Sequence, residues 1–98
     1  MKRLLWAAKA RQDLRKIIRH FSAKDRRIAD LLLERIERVA RSLTKKDTGR
    51  PGRMPDLREK SVARTRYILA YRVRERDVII LRVIHSAQQW TKSTWPQA

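Results

Sequence analysis

The chain has 98 residues, room for one domain that hides roughly two-thirds of its unfolded surface and too few for a second core. Its 26 Lys and Arg against 10 Asp and Glu leave a formal charge of +16 beside 42% hydrophobic residues, which excludes a disordered chain and calls for an anionic partner. With no cysteine there are no disulfides or thiolate metal sites, the two histidines lie 65 positions apart, and no apolar run approaches the roughly 20 residues of a membrane span, so no metal, cofactor or membrane partner is expected.

Met1-Lys2-Arg3 opens like an export signal, but the apolar stretch 4–8 is broken at Lys9 and is too short for one, so a cytoplasmic protein is expected. Leu4-Leu5-Trp6 reads as an opening strand. Ala10, Leu14, Ile17, Ile18 and Phe21 then fall at offsets of 4, 7, 8 and 11, the apolar stripe of a helix over residues 7–21. Ser22-Ala-Lys-Asp25 fits a loose capping signature, so a second helix starts at Ser22 or just after, with Ile28, Leu32, Ile36, Val39 and Leu43 along one face. So short a connection makes the two helices an antiparallel hairpin.

Gly49-Arg50-Pro51-Gly52-Arg53-Met54-Pro55 holds both glycines and two of the three prolines, and no helix runs through it. Beyond it, 57–62, 67–74 and 78–84 are rich in β-branched and aromatic residues and read as three strands. Arg74-Glu75-Arg76-Asp77 is a tight connection that makes the last two antiparallel. Residues 86–98, with Trp90, Trp95 and Pro96, have no clear period and read as coil or a short turn of helix. The expected fold is α+β, in the order β-α-α-β-β-β, with a helical hairpin packed on one face of a small, mainly antiparallel sheet. Residues 1–90 form the single domain and 91–98 its C-terminal tail. The opposite sheet face is expected to be bare. Alternation places Tyr67, Leu69, Tyr71 and Val73 on one side of their strand, with Ile68, Ala70 and Arg72 on the other. In the last strand it groups Ile79, Leu81, Val83 and His85 against Val78, Ile80, Arg82 and Ile84. Arg72 and Arg82 should face away from the helices, since an unpaired inward guanidinium costs several kcal/mol, roughly.

Eighteen of the 26 basic residues are Arg, whose planar fork grips phosphate or carboxylate with paired hydrogen bonds. They are spread over the chain, so the charge belongs to the folded body. Arg50 and Arg53, in a loop stiffened by Pro51 and Pro55, are candidates for binding an anion, or else pair with Asp47 or Asp56. Arg58, Arg72 and Arg82 are candidates for a basic patch on the sheet, or else pair internally with Glu59, Glu75 or Asp77. Trp90 is a candidate interface anchor or a cap on the sheet edge. His85, and with it Arg82, is a candidate for proton transfer, because an imidazole titrates near neutrality; the alternative is a local hydrogen bond at a strand end. Tyr67 and Tyr71 read as core.

Leu5-Trp6-Ala7, Ala10-Arg11-Gln12-Asp13-Leu14, the segment 49–55, Leu57-Arg58-Glu59, the segment 67–73 and the segment 80–88 stand in an order and spacing that resembles the RelE/ParE superfamily of bacterial toxins. The likeness is to the ParE-like branch and reaches to about Trp90. It implies the toxin half of a type II toxin–antitoxin pair, hetero-oligomeric with a cognate acidic antitoxin. RelE-type members are implied to cut messenger RNA on the ribosome, and ParE-type members to poison DNA gyrase. With Tyr67 taken as the tyrosine that opens the third strand of the toxin pattern, the positions of the RelE lysine pair hold Glu59 and Ser61, and the arginine position holds Ile68. A register shift of one brings Lys60 or Arg66 closer. The expected function is therefore a growth-inhibiting toxin directed at gyrase. The alternatives are a ribosome-dependent messenger RNA endonuclease using His85 with arginines, and a non-toxic basic nucleic-acid-binding module.

Overall fold

The computed structural model describes residues 1–86. The tail expectations, including Trp90 and Trp95, lie outside the described residues. Strand β1 (Arg3–Trp6) leads into helices α1 (Ala8–Ser22) and α2 (Arg26–Ser42), followed by β2 (Arg50–Pro51), β3 (Arg58–Ser61), β4 (Tyr67–Val73) and β5 (Asp77–His85). The sheet order is β1-β5-β4-β3-β2, with β1 parallel to β5 and every other pair antiparallel. The two-residue β2 is an element the sequence reading left in a loop, because Pro51 and the flanking glycines mask a strand that makes so few ladder bonds. Pro51 also leaves that sheet edge short of a donor, which discourages pairing with another chain.

The helices break where local chemistry offers the backbone another partner. Ser22 closes α1, and it is Asp25 that caps α2, its carboxylate accepting from the Arg27 N–H at 2.9 Å. The cap is therefore three residues later than Ser22. Ala10 is fully buried where α1 crosses the sheet, and Ala29 and Ala40 of α2 are fully buried too, small residues that allow close approach, while Ile36 is fully buried in the first core. The first core joins these helix faces to Val62, Leu69, Tyr71, Val78, Ile80 and Val83.

The second sheet face is not bare. Leu57, Ile68, Ala70, Leu81 and Ile84 form a further buried cluster, against which Ala7, Met54 and Ile79 pack. The uninterrupted apolar runs at 68–70 and 78–81 are the physical reason, since strands buried on both faces lose polar alternation. A register shift opposite Ala70 and Tyr71 pairs them with Arg82 and Ile80, leaving Leu81 as the extra residue of a bulge. After it the sides exchange: Val83 joins Val78 and Ile80 on the helix side, and Ile84 joins Ile79 and Leu81 on the other. This corrects simple period-two counting. Between β4 and β5, the Arg74 N–H donates to the Asp77 carbonyl at 2.8 Å, closing the expected tight turn. Among the described residues no helix is long and apolar enough to cross a membrane, and no group of three or more His, Asp or Glu is placed to hold a metal ion.

Candidate functional site

The loop between α2 and β3 is built around one aromatic hydroxyl. Tyr71 is completely buried, and its hydroxyl donates to Asp47 at 2.5 Å. Asp47 also holds Arg58, whose Nε lies 2.9 and 2.7 Å from the two carboxylate oxygens, while Nη2 of Arg58 donates to the Gly49 carbonyl at 2.5 Å. A Cβ at Gly49 would sit 2.0 Å from the Tyr71 hydroxyl and 2.7 Å from the Glu59 carbonyl oxygen, so only glycine fits here. Glu59, 4% exposed, accepts from the Arg53 N–H at 3.0 Å and lies 3.6 Å from Arg53 Nε. These contacts fix the loop and leave Arg50 exposed on its outer edge.

The expected partners are thus partly exchanged. Arg53 pairs with Glu59 rather than with Asp47 or Asp56, and Arg58 pairs with Asp47. Arg72, half-buried on β4, makes no ion pair among the described residues. Arg82 is the larger correction. Instead of pointing away from the helices, it reaches Asp13 of α1, with Nε 2.7 Å and Nη2 3.0 Å from the carboxylate, and the Val83 N–H donates to the same group at 3.0 Å. Arg82 stands opposite Ala70 of the second cluster, yet its guanidinium still meets the α1 carboxylate. An open patch of Arg58, Arg72 and Arg82 does not exist: two of the three hold internal carboxylates, and apolar side chains occupy the sheet face.

Burial raises the Tyr71 pKa, and the neighbouring Asp47 carboxylate raises it further, to about 12. Burial alone raises that of Tyr67. For Asp47, burial pushes upward, but the hydrogen bonds from Tyr71, Arg58 and the Gly49 backbone outweigh it and hold the carboxyl below its ordinary value. The signs give opposite windows. The Tyr71 contribution to stability is complete below its unfolded pKa near 10 and is lost as pH rises toward 12, whereas that of Asp47 is present above its unfolded value and fades in acid. Ultraviolet titration should therefore show both tyrosines ionising late, the last phase near pH 12, and Tyr71→Phe should remove that last phase. A phase of two tyrosines at the ordinary value would contradict the network.

Two apolar surfaces escape the sequence reading. A shallow groove of about 480 Å³ lies between α1 and α2, lined by Arg11, Leu14, Arg15, Ile18, Arg19 and Leu33. Arg11, Arg15 and Arg19 succeed one another at four-residue steps, which stacks them on one helix face, and none makes an ion pair among the described residues. That spacing is visible in the sequence, hidden only by the abundance of other arginines. A smaller cleft of about 220 Å³ lies on the other flank of α2, against the β3–β4 turn, and holds His85 and Tyr67 on its wall. Their rings meet edge to face with centroids 5.5 Å apart, which places the candidate acid or base in an aromatic contact at a strand end.

An arginine wall over an apolar floor suits an acidic, amphipathic protein segment. The solved chain from the chromosomal ParDE TA system from P. aeruginosa superposes with a TM-score of 0.78 at 26% identity, over 87% of this chain and 96% of that one. The Sinorhizobium fredii (strain NBRC 101917 / NGR234) protein Y4kP, which carries a toxin name, is 37% identical over 90 residues, 91% of this chain and 93% of its own length. Residues 4–90 match the family model described as ParE toxin of type II toxin-antitoxin system, parDE. Fold and sequence thus agree over most of the chain, and the chain belongs to the ParE toxin family.

Proposed function

We propose that this toxin acts in the cytoplasm by binding DNA gyrase and stalling it, not by cutting RNA, and that an acidic antitoxin segment neutralises it by lying in the α1–α2 groove. The observation that carries the mode of action is what occupies the positions where RelE-type members are implied to hold catalytic cations. Glu59 is buried and committed to the Arg53 backbone, and Ile68 is buried in the second apolar cluster. Metal-free RNA cleavage needs cations aimed at a developing phosphorane and groups that move protons, and a buried carboxylate and an alkyl side chain supply neither.

What the loop supplies instead is a rigid support for Arg50 and Arg53. Guanidiniums held by a fixed backbone lose little entropy when they grip an anionic surface. The groove offers the antitoxin an apolar seat, and its three arginines provide the complementary charge that speeds encounter and sets register. Purified toxin is expected to inhibit supercoiling by purified gyrase, and Arg50→Ala/Arg53→Ala to raise the half-inhibitory concentration at least about tenfold, as for the loss of a charge-assisted contact. Full supercoiling at saturating toxin would remove gyrase as the target.

A further inference from the structure

We propose that the cleft between α2 and the β3–β4 turn is a second docking site, taking an extended acidic peptide with one large apolar side chain, supplied by a further segment of the same antitoxin. The proposal rests on the antitoxin reading above and adds a site to it.

Ile28 and Leu31, one helical turn apart, are 52% and 47% exposed and stand on the rim of this one cleft. Phe21, Leu32 and Tyr67 supply its apolar lining. At about 220 Å³ it falls below the roughly 300–1,000 Å³ of pockets that take whole small molecules, and suits a single anchoring side chain. Arg35 enters the rim from α2, and Arg64 and Arg66 enter from the turn. None of the three makes an ion pair among the described residues, so the rim offers three guanidiniums to incoming carboxylates.

The turn that carries two of these cations is held firmly. The Thr65 hydroxyl donates to the Val62 carbonyl at 2.8 Å and accepts from the Tyr67 N–H at 3.1 Å. Arg64 sits at φ 63°, a left-handed conformation that glycine or asparagine would adopt more easily. An arginine kept at that position projects its guanidinium at the mouth of an apolar cleft.

Leu31 and Leu33 lie two residues apart on α2, roughly 200° around its axis, so cleft and groove face opposite flanks. One straight partner helix cannot fill both. A chain leaving the groove must pass around a helix about 10–12 Å across, which takes roughly four extended residues or more. An acidic segment that orders only on binding can wrap in this way.

The probe is a fluorescent peptide, acetyl-Glu-Glu-Phe-Glu-Glu-amide, followed by anisotropy. Saturable binding to the free toxin is expected, weakened at least tenfold by a central Gly in place of Phe, and equally by Leu31→Asp or Arg64→Glu. Both positions are exposed, and the unfolding midpoints of these variants should match the parent's. Leu33→Asp, in the groove, should change the affinity less than twofold. Toxin purified in complex with its expected acidic antitoxin, sought as the product of a gene beside its own, should exclude the peptide. Equal binding of the Gly-centred peptide, or an equal loss with Leu33→Asp, would overturn the site. A complex that forms and still takes up the peptide would overturn the assignment of the cleft to the antitoxin. If that gene product forms no complex at all, the antitoxin reading itself falls, together with the source proposed here for the peptide.

Discussion

Replacing Asp13 with Ala is expected to destabilise the protein by about 3–5 kcal/mol, the range for taking one partner from a buried ion pair. The side chains of Arg82 and Asp13 are only 14% and 13% exposed. The carboxylate answers two guanidinium nitrogens and the Val83 N–H beside the bulge, so its loss removes the ion-pair partner of a largely buried guanidinium and the acceptor of a backbone donor together. At about 4–8 °C per kcal/mol for a domain of this size, the melting temperature should fall by more than about 12 °C. Asp13→Leu combined with Arg82→Met should lose less than Asp13→Ala alone, because neither leaves a charge behind. A fall of less than about 1 kcal/mol in Asp13→Ala would show that the pair does not join α1 to β5.

The second large effect is expected at Gly49. Alanine there has its Cβ 2.0 Å from the Tyr71 hydroxyl, with the Glu59 carbonyl 2.7 Å away on β3. Neither neighbour yields easily, since Tyr71 is a core residue and Glu59 is paired in the sheet with both Arg50 and Ala70. Overpacking costs about 1–3 kcal/mol, and loss of the Tyr71–Asp47 hydrogen bond adds about 1 kcal/mol or more. Gly49→Ala should therefore lower stability by about 2–4 kcal/mol and return the Tyr71 phenol toward its ordinary pKa. Adding Tyr71→Phe should recover part of the loss, because it removes the atom nearest the new methyl. Denaturant unfolding of the single and double variants measures both effects, and a loss under about 0.5 kcal/mol in Gly49→Ala would contradict the packing described.

The element order was legible because each helix carries an apolar stripe of its own period, and because glycine and proline crowd between α2 and β3. The helix 7–21 and the strand 67–74 agree with α1 and β4 to within one residue at each end. The two-faced sheet was less legible. Residues 78–81 are apolar throughout, and alternation cannot say which side such a run favours once a bulge inserts Leu81. The pairing of Arg82 was not legible either, because its partner Asp13 lies 69 residues away and leaves no local signature. Arg50 and Arg53 were marked by their stiff loop. The groove and the cleft were not, because each draws residues from elements whose apposition depends on the folded hairpin.

What RNA does after induction tests the mode of action most directly. With the antitoxin withheld, primer extension on abundant messages within minutes of toxin expression should show intact 5′ ends while growth stops, as expected of a toxin that holds its target and carries a carboxylate and an isoleucine where cations would cut. Cuts linked to codon positions, appearing at the same time as the arrest, would contradict the account.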